Sequence, residues 1–442
     1  MEKFIEKNKD DLVEIVREIL KIKSVEDKPE EGAPFGLGVK LALDYALTVG
    51  EEMGFKTKNL DGYAGYVEFG EGEELISILG HLDVVPEGKG WKHHPYAAVV
   101  EDGKIYGRGA IDDKGPMMAA LFGLYALKES GLSVKKRVRI VFGTNEETGW
   151  KGIAYYKEKE KAPLVGFTPD GNFPVINREK GILNVTIEKK FSPENKEILL
   201  KGGERPNMVP DYAEAEFSNA PSLKSFDGVE VNGNKVIAKG ISAHGAHPWE
   251  GKNAVTILCS ALKDADISKE VKSVIDFVNE KIGDDVFGEK LGIAFEDKES
   301  GKLTCNLGMM KIEKDTAEIV FNIRYPITDS AERITDAIEK SAAPYGLKVK
   351  DTHHQPPLFV SESEDIVQKL LKVYEEETGE KGYTLAIGGG TYARAMEKGV
   401  AFGPVFPGMV AVEHQPNEFI GINHLVKIAK IYGRAIYELA KD

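Results

Sequence analysis

Cysteine is nearly absent from this 442-residue chain: Cys259 and Cys305 are its only two. Two thiols cannot build a disulfide framework, and zinc held by Cys-x-x-Cys pairs is excluded. Any metal must therefore be held by His, Asp and Glu. Basic charge is also in deficit, with 58 Lys and Arg against 72 Asp and Glu and a net charge of −14. That balance speaks against nucleic acid as a partner, because phosphate binding needs clustered cations. The short run Lys135-Lys136-Arg137 reads as a solvated strand edge. No segment approaches the roughly 20 uninterrupted apolar residues of a membrane helix, so no membrane partner is expected. Met1 to Asp11 is charged and lacks an apolar core, so a secretory signal is not expected and the cytoplasm is the expected location.

What remains is 42% hydrophobic and 29% charged residues, the makeup of a globular protein long enough for two or three domains. Leu12, Val13, Val16, Ile19 and Leu20 share one helical face. Strand and helix patterns then alternate: Leu75 to Leu79, a helix from Met117 to Lys128, Arg139 to Phe142, and Leu164 to Phe167. Strands separated by helices imply a doubly wound, mostly parallel α/β sheet. Beyond Lys180 the character changes to short strands (Asn184 to Lys189, Lys235 to Ala238, Ala317 to Arg324) with two helical stretches, Asn253 to Leu262 and Ser330 to Ala342. Longer helices return at Asp365 to Thr378 and Ile422 to Leu439. The expected architecture is a catalytic α/β domain made of residues 1–180 and 353–442, interrupted by an inserted α+β lid domain over 181–352. No internal repeat is evident.

Four acidic or His-containing segments follow apolar runs: His81-Leu82-Asp83, Asp112-Asp113-Lys114, Glu146-Glu147 and Asp170-Gly171. Three of them directly follow expected strands, and open parallel sheets form their sites outside the carboxyl ends of strands. His81, Glu146, Glu147 and Asp170 should therefore converge. Several carboxylates at close range disfavour joint ionisation, and a divalent cation removes that penalty. Taken singly, each piece has an ordinary explanation as a surface pair, a turn, or helix N-terminal charge. Their joint recurrence at the ends of strands in one sheet does not.

The ordered segments Gly80-His81-Leu82-Asp83-Val84-Val85-Pro86, Gly107-Arg108-Gly109-Ala110-Ile111-Asp112-Asp113-Lys114-Gly115 and Thr144-Asn145-Glu146-Glu147 strongly resemble one family. It is the zinc-dependent exopeptidase family of aminoacylases, carboxypeptidase G, carnosinases and bacterial PepV-type dipeptidases. Asp170, Arg205 to Pro210, Ser242-Ala243-His244, Gly388-Gly389-Gly390-Thr391 and His414-Gln415-Pro416-Asn417-Glu418 continue the match in order and look closer to the PepV-type branch.

The resemblance implies two Zn2+ per chain, with Mn2+ or Co2+ as alternatives, bridged by Asp112 and a water. His81 and Asp170 would complete one site, and Glu147 and His414 the other. Asp83 would orient the site, and Glu146 would act as general base on the metal-bridged water. His244, in preference to His247, would stabilise the oxyanion. Asn207, Arg324 and the backbone of Gly388 and Gly389 would bind substrate. A cis Asp112–Asp113 peptide bond is implied as well. The expected reaction is hydrolysis of dipeptides, with an N-acyl amino acid deacylase or desuccinylase of the same family as the alternative. The expected partner is a small peptide substrate, with the chain acting as a monomer or homodimer. His93, His94, His353, His354 and His424 read as structural or solvent-facing. A phosphate-binding reading fails for want of Gly-x-x-x-x-Gly-Lys-Ser/Thr.

Overall fold

The computed structural model describes residues 1–160, 165–192, 194–221, 223 and 226–442. Leu164, at the start of one expected strand, lies outside the described residues, and the strand runs Val165–Thr168. The chain divides into two compact units. The first comprises Met1–Asn177, Val360–Leu385 and Thr391–Asp442; the second comprises Arg178–Phe359 and Ala386–Gly390.

In the first unit the sheet runs, in spatial order, Lys56–Leu60, Ala64–Phe69, Arg137–Gly143, Leu75–His81, Val165–Thr168, Lys398–Ala401 and Val175–Glu179. The four central strands pair in parallel, while the hairpin of residues 56–69 and the strand Val175–Glu179 join them through antiparallel pairs. Side chains alternate across the pleat. Leu79 and Val141 join Ile153 and Tyr156 of the helix Lys151–Lys159 in one apolar cluster. The opposite face packs on the helices Lys114–Glu129 and Ile422–Ala440. Those two helices meet backbone to backbone, since a Cβ on Gly123 would fall 2.7 Å from both Ala429 O and Gly433 N. Helices on both faces of a parallel core make this the doubly wound α/β unit.

The second unit is an eight-stranded antiparallel sheet. Its order is Val229–Asn232, Lys235–Lys239, Tyr212–Phe217, Ile198–Gly202, Thr304–Ile312, Thr316–Tyr325, Gly181–Lys190 and Lys348–Gln355. Leu183, Val185, Phe321 and Ile323 point into a core shared with the helices Ala254–Ala261, Lys269–Lys281 and Ala331–Ala342. The helix Lys269–Lys281 was not expected from the sequence. The expected boundaries at 180/181 and 352/353 also shift. Lys348–Gln355 hydrogen-bonds along Gly181–Lys190, so the chain stays in the second unit through Phe359. The glycine segment Gly388–Gly390 also belongs to this unit rather than to the first. Among the described residues no helix is long and apolar enough to cross a membrane.

Candidate metal centre

Parallel pairing places His81 opposite Gly143 at the carboxyl ends of neighbouring strands. The segments after those strands therefore leave the sheet side by side. Asp83 joins them: its Oδ1 accepts from Glu146 N at 3.0 Å and its Oδ2 from Glu147 N at 3.1 Å. Asp83 also bears on the imidazole of His81, whose Nδ1 lies 2.9 Å from the Asp83 carbonyl and 3.7 Å from Oδ1. A carbonyl can only accept, so Nδ1 carries the proton. Nε2 is therefore the ring nitrogen turned inward, free to act as a ligand.

That Nε2 atom lies 3.1 Å from Asp112 Oδ1 and 3.7 Å from Asp170 Oδ2. The other oxygen of Asp112 is 2.9 Å from His414 Nε2, which is in turn 3.1 Å from Glu147 Oε1. One carboxylate thus spans two imidazoles, each with a further carboxylate beside it. All five residues expected as ligands are brought together here. Donor atoms of His81, Asp112 and Glu147 lie within 4.8 Å of one another. The Asp112–Asp113 peptide bond is cis. Gly80 leaves room for Asp113, because a Cβ there would fall 2.1 Å from Asp113 Oδ2, the atom that accepts from His81 N.

Electrostatically the cluster is overloaded with acid. Burial, then the charges of Asp170, Glu147 and Asp83, push the Glu146 carboxyl well above its ordinary range. Asp170 rises to about 7 through burial and the charge of Asp112. Asp83 and Asp113 rise as well, chiefly through burial. Burial opposes charge on His414, but its hydrogen bonds to Asp112 and Glu147 prevail and lift it to about 12. The same two histidines, overcoming burial, hold Asp112 below the usual carboxylate range. Inward-facing imidazole Nε2 atoms among crowded carboxylates form a ligand set that fits divalent cations, which would take the place of the imidazole protons, and His with carboxylate oxygen suits zinc. His81, Asp112 and Asp170 would hold one ion, and Asp112, Glu147 and His414 a second.

Glu146 sits beside this set, and its Oε1 accepts from Trp150 Nε1 at 3.1 Å. Trp150 holds a left-handed backbone (φ 63°) at the head of the helix Lys151–Lys159. It packs edge to face with Tyr392 at 5.2 Å between ring centroids. This indole has almost no signature in the sequence. An i, i+4 Glu–Trp spacing was its only signal, and the left-handed turn between the two is not visible in composition.

The remaining expected residues lie in the second unit. Arg324 is 5% exposed, with Nε donating to Asn322 Oδ1 at 2.9 Å and Nη1 to Gly388 O at 3.0 Å. Gly388 thus presents a carbonyl to Arg324. It is followed by a short 3-10 turn, Tyr392–Ala395. Asn322 is further fixed by a bond from its Nδ2 to Asn184 Oδ1 at 2.6 Å. Asn306, opposite Asn322 in register, donates to the carbonyls of Pro206 and Met208, each at 2.9 Å, on either side of Asn207. Asn207 O accepts from Gly245 N at 2.7 Å, and Met208 pairs with His244. The row Asn184–Asn322–Asn306, absent from the sequence reading, underlies all these groups.

Known proteins resemble this chain in sequence and in fold. The sequence pattern of peptidase family M20/M25/M40 matches residues 78–438. "Putative dipeptidase YtjP" of Bacillus subtilis is 41% identical over 98% of both chains. Among solved structures, the di-peptidase Dug1p of Saccharomyces cerevisiae superposes with a TM-score of 0.63 at 14% identity, covering 100% of this chain and 98% of that one. The M20 family metallo-carboxypeptidase Sso-CP2 of Sulfolobus solfataricus gives 0.62 at 17% identity, covering 97% and 99%. The chain belongs to peptidase family M20/M25/M40 and is a peptide hydrolase.

Proposed function

We propose that this chain is a cytoplasmic di-zinc dipeptidase. The observation that carries the reading is the bridge made by Asp112, whose two oxygens lie 3.1 and 2.9 Å from the Nε2 atoms of His81 and His414. The 41% identical relative bears the name dipeptidase, which favours dipeptides over longer chains or N-acyl amino acids. Two buried, unpaired cysteines suit a reducing compartment.

When bound, a pair of divalent cations would polarise the scissile carbonyl and make the attacking water more acidic. Glu146 takes the water's proton on Oε2, since Oε1 is engaged by Trp150, and returns it to the leaving amine nitrogen. Asp83 keeps Glu146 and Glu147 in register through their backbone N–H groups. We assign His244 to the developing oxyanion, and Arg324 with Asn207 and the Gly388–Gly389 backbone to polar groups of the peptide.

Metal analysis of the purified protein, joined to kcat/KM for dipeptides, tripeptides and N-acyl amino acids, tests the reading. Two equivalents of zinc and a clear preference for dipeptides are expected. A preference for N-acyl amino acids would replace the dipeptidase with a deacylase, and failure to bind any divalent ion would remove the centre itself.

A further inference from the structure

Arg108 and Glu418 are 1% and 0% exposed, with Nη1 2.8 Å from Oε2. The metal-centre geometry leaves both unassigned, yet their contacts reach the loops that carry Asp112 and His414 and the segment that follows His81. Glu418 Oε1 accepts from the backbone N–H of Ile111 at 2.9 Å and of Asp112 at 3.3 Å. Glu418 O accepts from Gly107 N at 3.0 Å. Arg108 Nη2 donates to His414 O and Glu87 O at 3.3 Å and to Pro86 O at 3.4 Å, and Nη1 reaches Gln415 O at 3.4 Å. The guanidinium carbon also lies 5.3 Å from the Trp91 ring centroid.

The planar, five-donor guanidinium suits this task, because one rigid fork can address several carbonyls at once. His414 and Asn417 hold left-handed backbone at φ 61° and 64°, a shape that residues other than glycine seldom adopt. Asn417 pins that shape from outside by accepting from Lys92 N at 2.6 Å and donating to Gly90 O at 3.3 Å. The His414 carbonyl is thereby aimed at Arg108 while the imidazole is aimed at Asp112. A buried ion pair is a poor source of stability, since an apolar pair of similar volume often does as well or better. What an apolar pair cannot do is hold the amide of Asp112 and the carbonyl of His414 to one rigid centre.

We propose that the Arg108–Glu418 pair is a positioning device that sets Asp112 and His414 at the separation cation binding requires. The inference rests on the reading of His81, Asp112, Glu147, Asp170 and His414 as ligands. Neither Arg108 nor Glu418 touches substrate or the reacting atoms.

The test titrates chelator-stripped protein with Zn2+ by calorimetry and follows thermal unfolding of the same samples in chelator. Visible absorption of the Co2+-loaded forms reports ligand geometry. Glu418→Gln and Arg108→Met should each weaken Zn2+ binding about 10- to 100-fold, the usual effect of losing a group that orients a ligand. The double variant Arg108→Met/Glu418→Leu should recover the unfolding temperature of the stripped protein but not the Zn2+ affinity, and its Co2+ spectrum should differ from the unmutated one. Recovery of both affinity and spectrum in the double variant would make the pair merely structural and overturn the proposal. Should the double variant not fold, Glu418→Gln decides alone, with unchanged affinity and spectrum counting against it. Absence of Zn2+ binding by the unmutated protein would instead sink the metal reading, a distinct outcome.

Discussion

Both units bury polar side chains, but they complete them differently. In the second unit Asn306, Asn322 and Arg324, each at most 5% exposed, satisfy one another and the loops above them through neutral amides and carbonyls. In the first unit Asp83 and Asp113 are at most 1% exposed, Asp113 Oδ1 has no hydrogen-bond partner, and burial lifts the carboxyls of Glu146 and Asp170. A network of amides around a single guanidinium has no like charges to balance. A cluster of acids around two imidazoles closes only with added positive charge. The first arrangement suits a scaffold that recognises, the second a centre that reacts.

The largest effect should separate two adjacent residues of the reactive cluster. Glu146→Gln is expected to slow turnover by roughly 10²- to 10⁴-fold, the span of a general base, with metal content nearly intact. Glu147→Gln should lose metal as well. Equal metal loss in both, measured by elemental analysis, would mean that base and ligand have been confused.

Next comes the recognition side. Arg324→Ala should lower kcat/KM for dipeptides while changing tripeptides and dipeptide amides much less, because only the free dipeptide places a carboxylate against the guanidinium. Should the unmutated enzyme cleave a dipeptide and its C-terminal amide equally well, carboxylate recognition by Arg324 is wrong.

The contrast between units can also be read in stability. Asn322→Ala removes the bonds to Arg324 Nε and Asn184 Oδ1 and should cost about 1–3 kcal/mol, whether or not Zn2+ is present. Zn2+ itself should raise the unfolding temperature, since a ligand at 100 times its Kd adds about 2.7 kcal/mol, and Glu147→Gln should abolish that gain. Thermal melts of both variants with Zn2+ and with chelator distinguish the closed network from the open one.

The site was legible where chemistry follows strand ends in fixed order: His81 ends one strand of the parallel sheet, and Glu146–Glu147 and Asp170 stand just past two others. Asp112 and His414 could be placed only through their motifs, being loop residues at a distance. The Arg108–Glu418 pair joins residues 310 apart, and no local periodicity announces such a contact. The edge strand Lys348–Gln355 escaped for another reason. It is exposed along nearly its whole length, so it lacks the apolar alternation by which a half-buried strand is recognised. The domain boundary consequently fell too early. The helix Lys269–Lys281 does bury Val271, Val274, Ile275 and Val278 on one side, a helical spacing that the reading passed over.

The smallest expected effect concerns Trp150. Its indole donates one hydrogen bond to Glu146 Oε1, and the ring is also wedged against Tyr392. Trp150→Phe keeps most of the aromatic bulk and deletes the donor. A hydrogen bond contributes about 0.5–1.5 kcal/mol net, so kcat should fall by up to about tenfold. KM should hold, because Trp150 touches the base and no proposed substrate contact. Metal content should hold too, since no ligand is involved. Trp150→Ala removes the packing against Tyr392 as well and should lower both kcat and the unfolding temperature. If Trp150→Phe leaves kcat unchanged while Trp150→Ala destabilises the protein, the indole serves only as packing. The base would then be held by the Asp83 carboxylate alone.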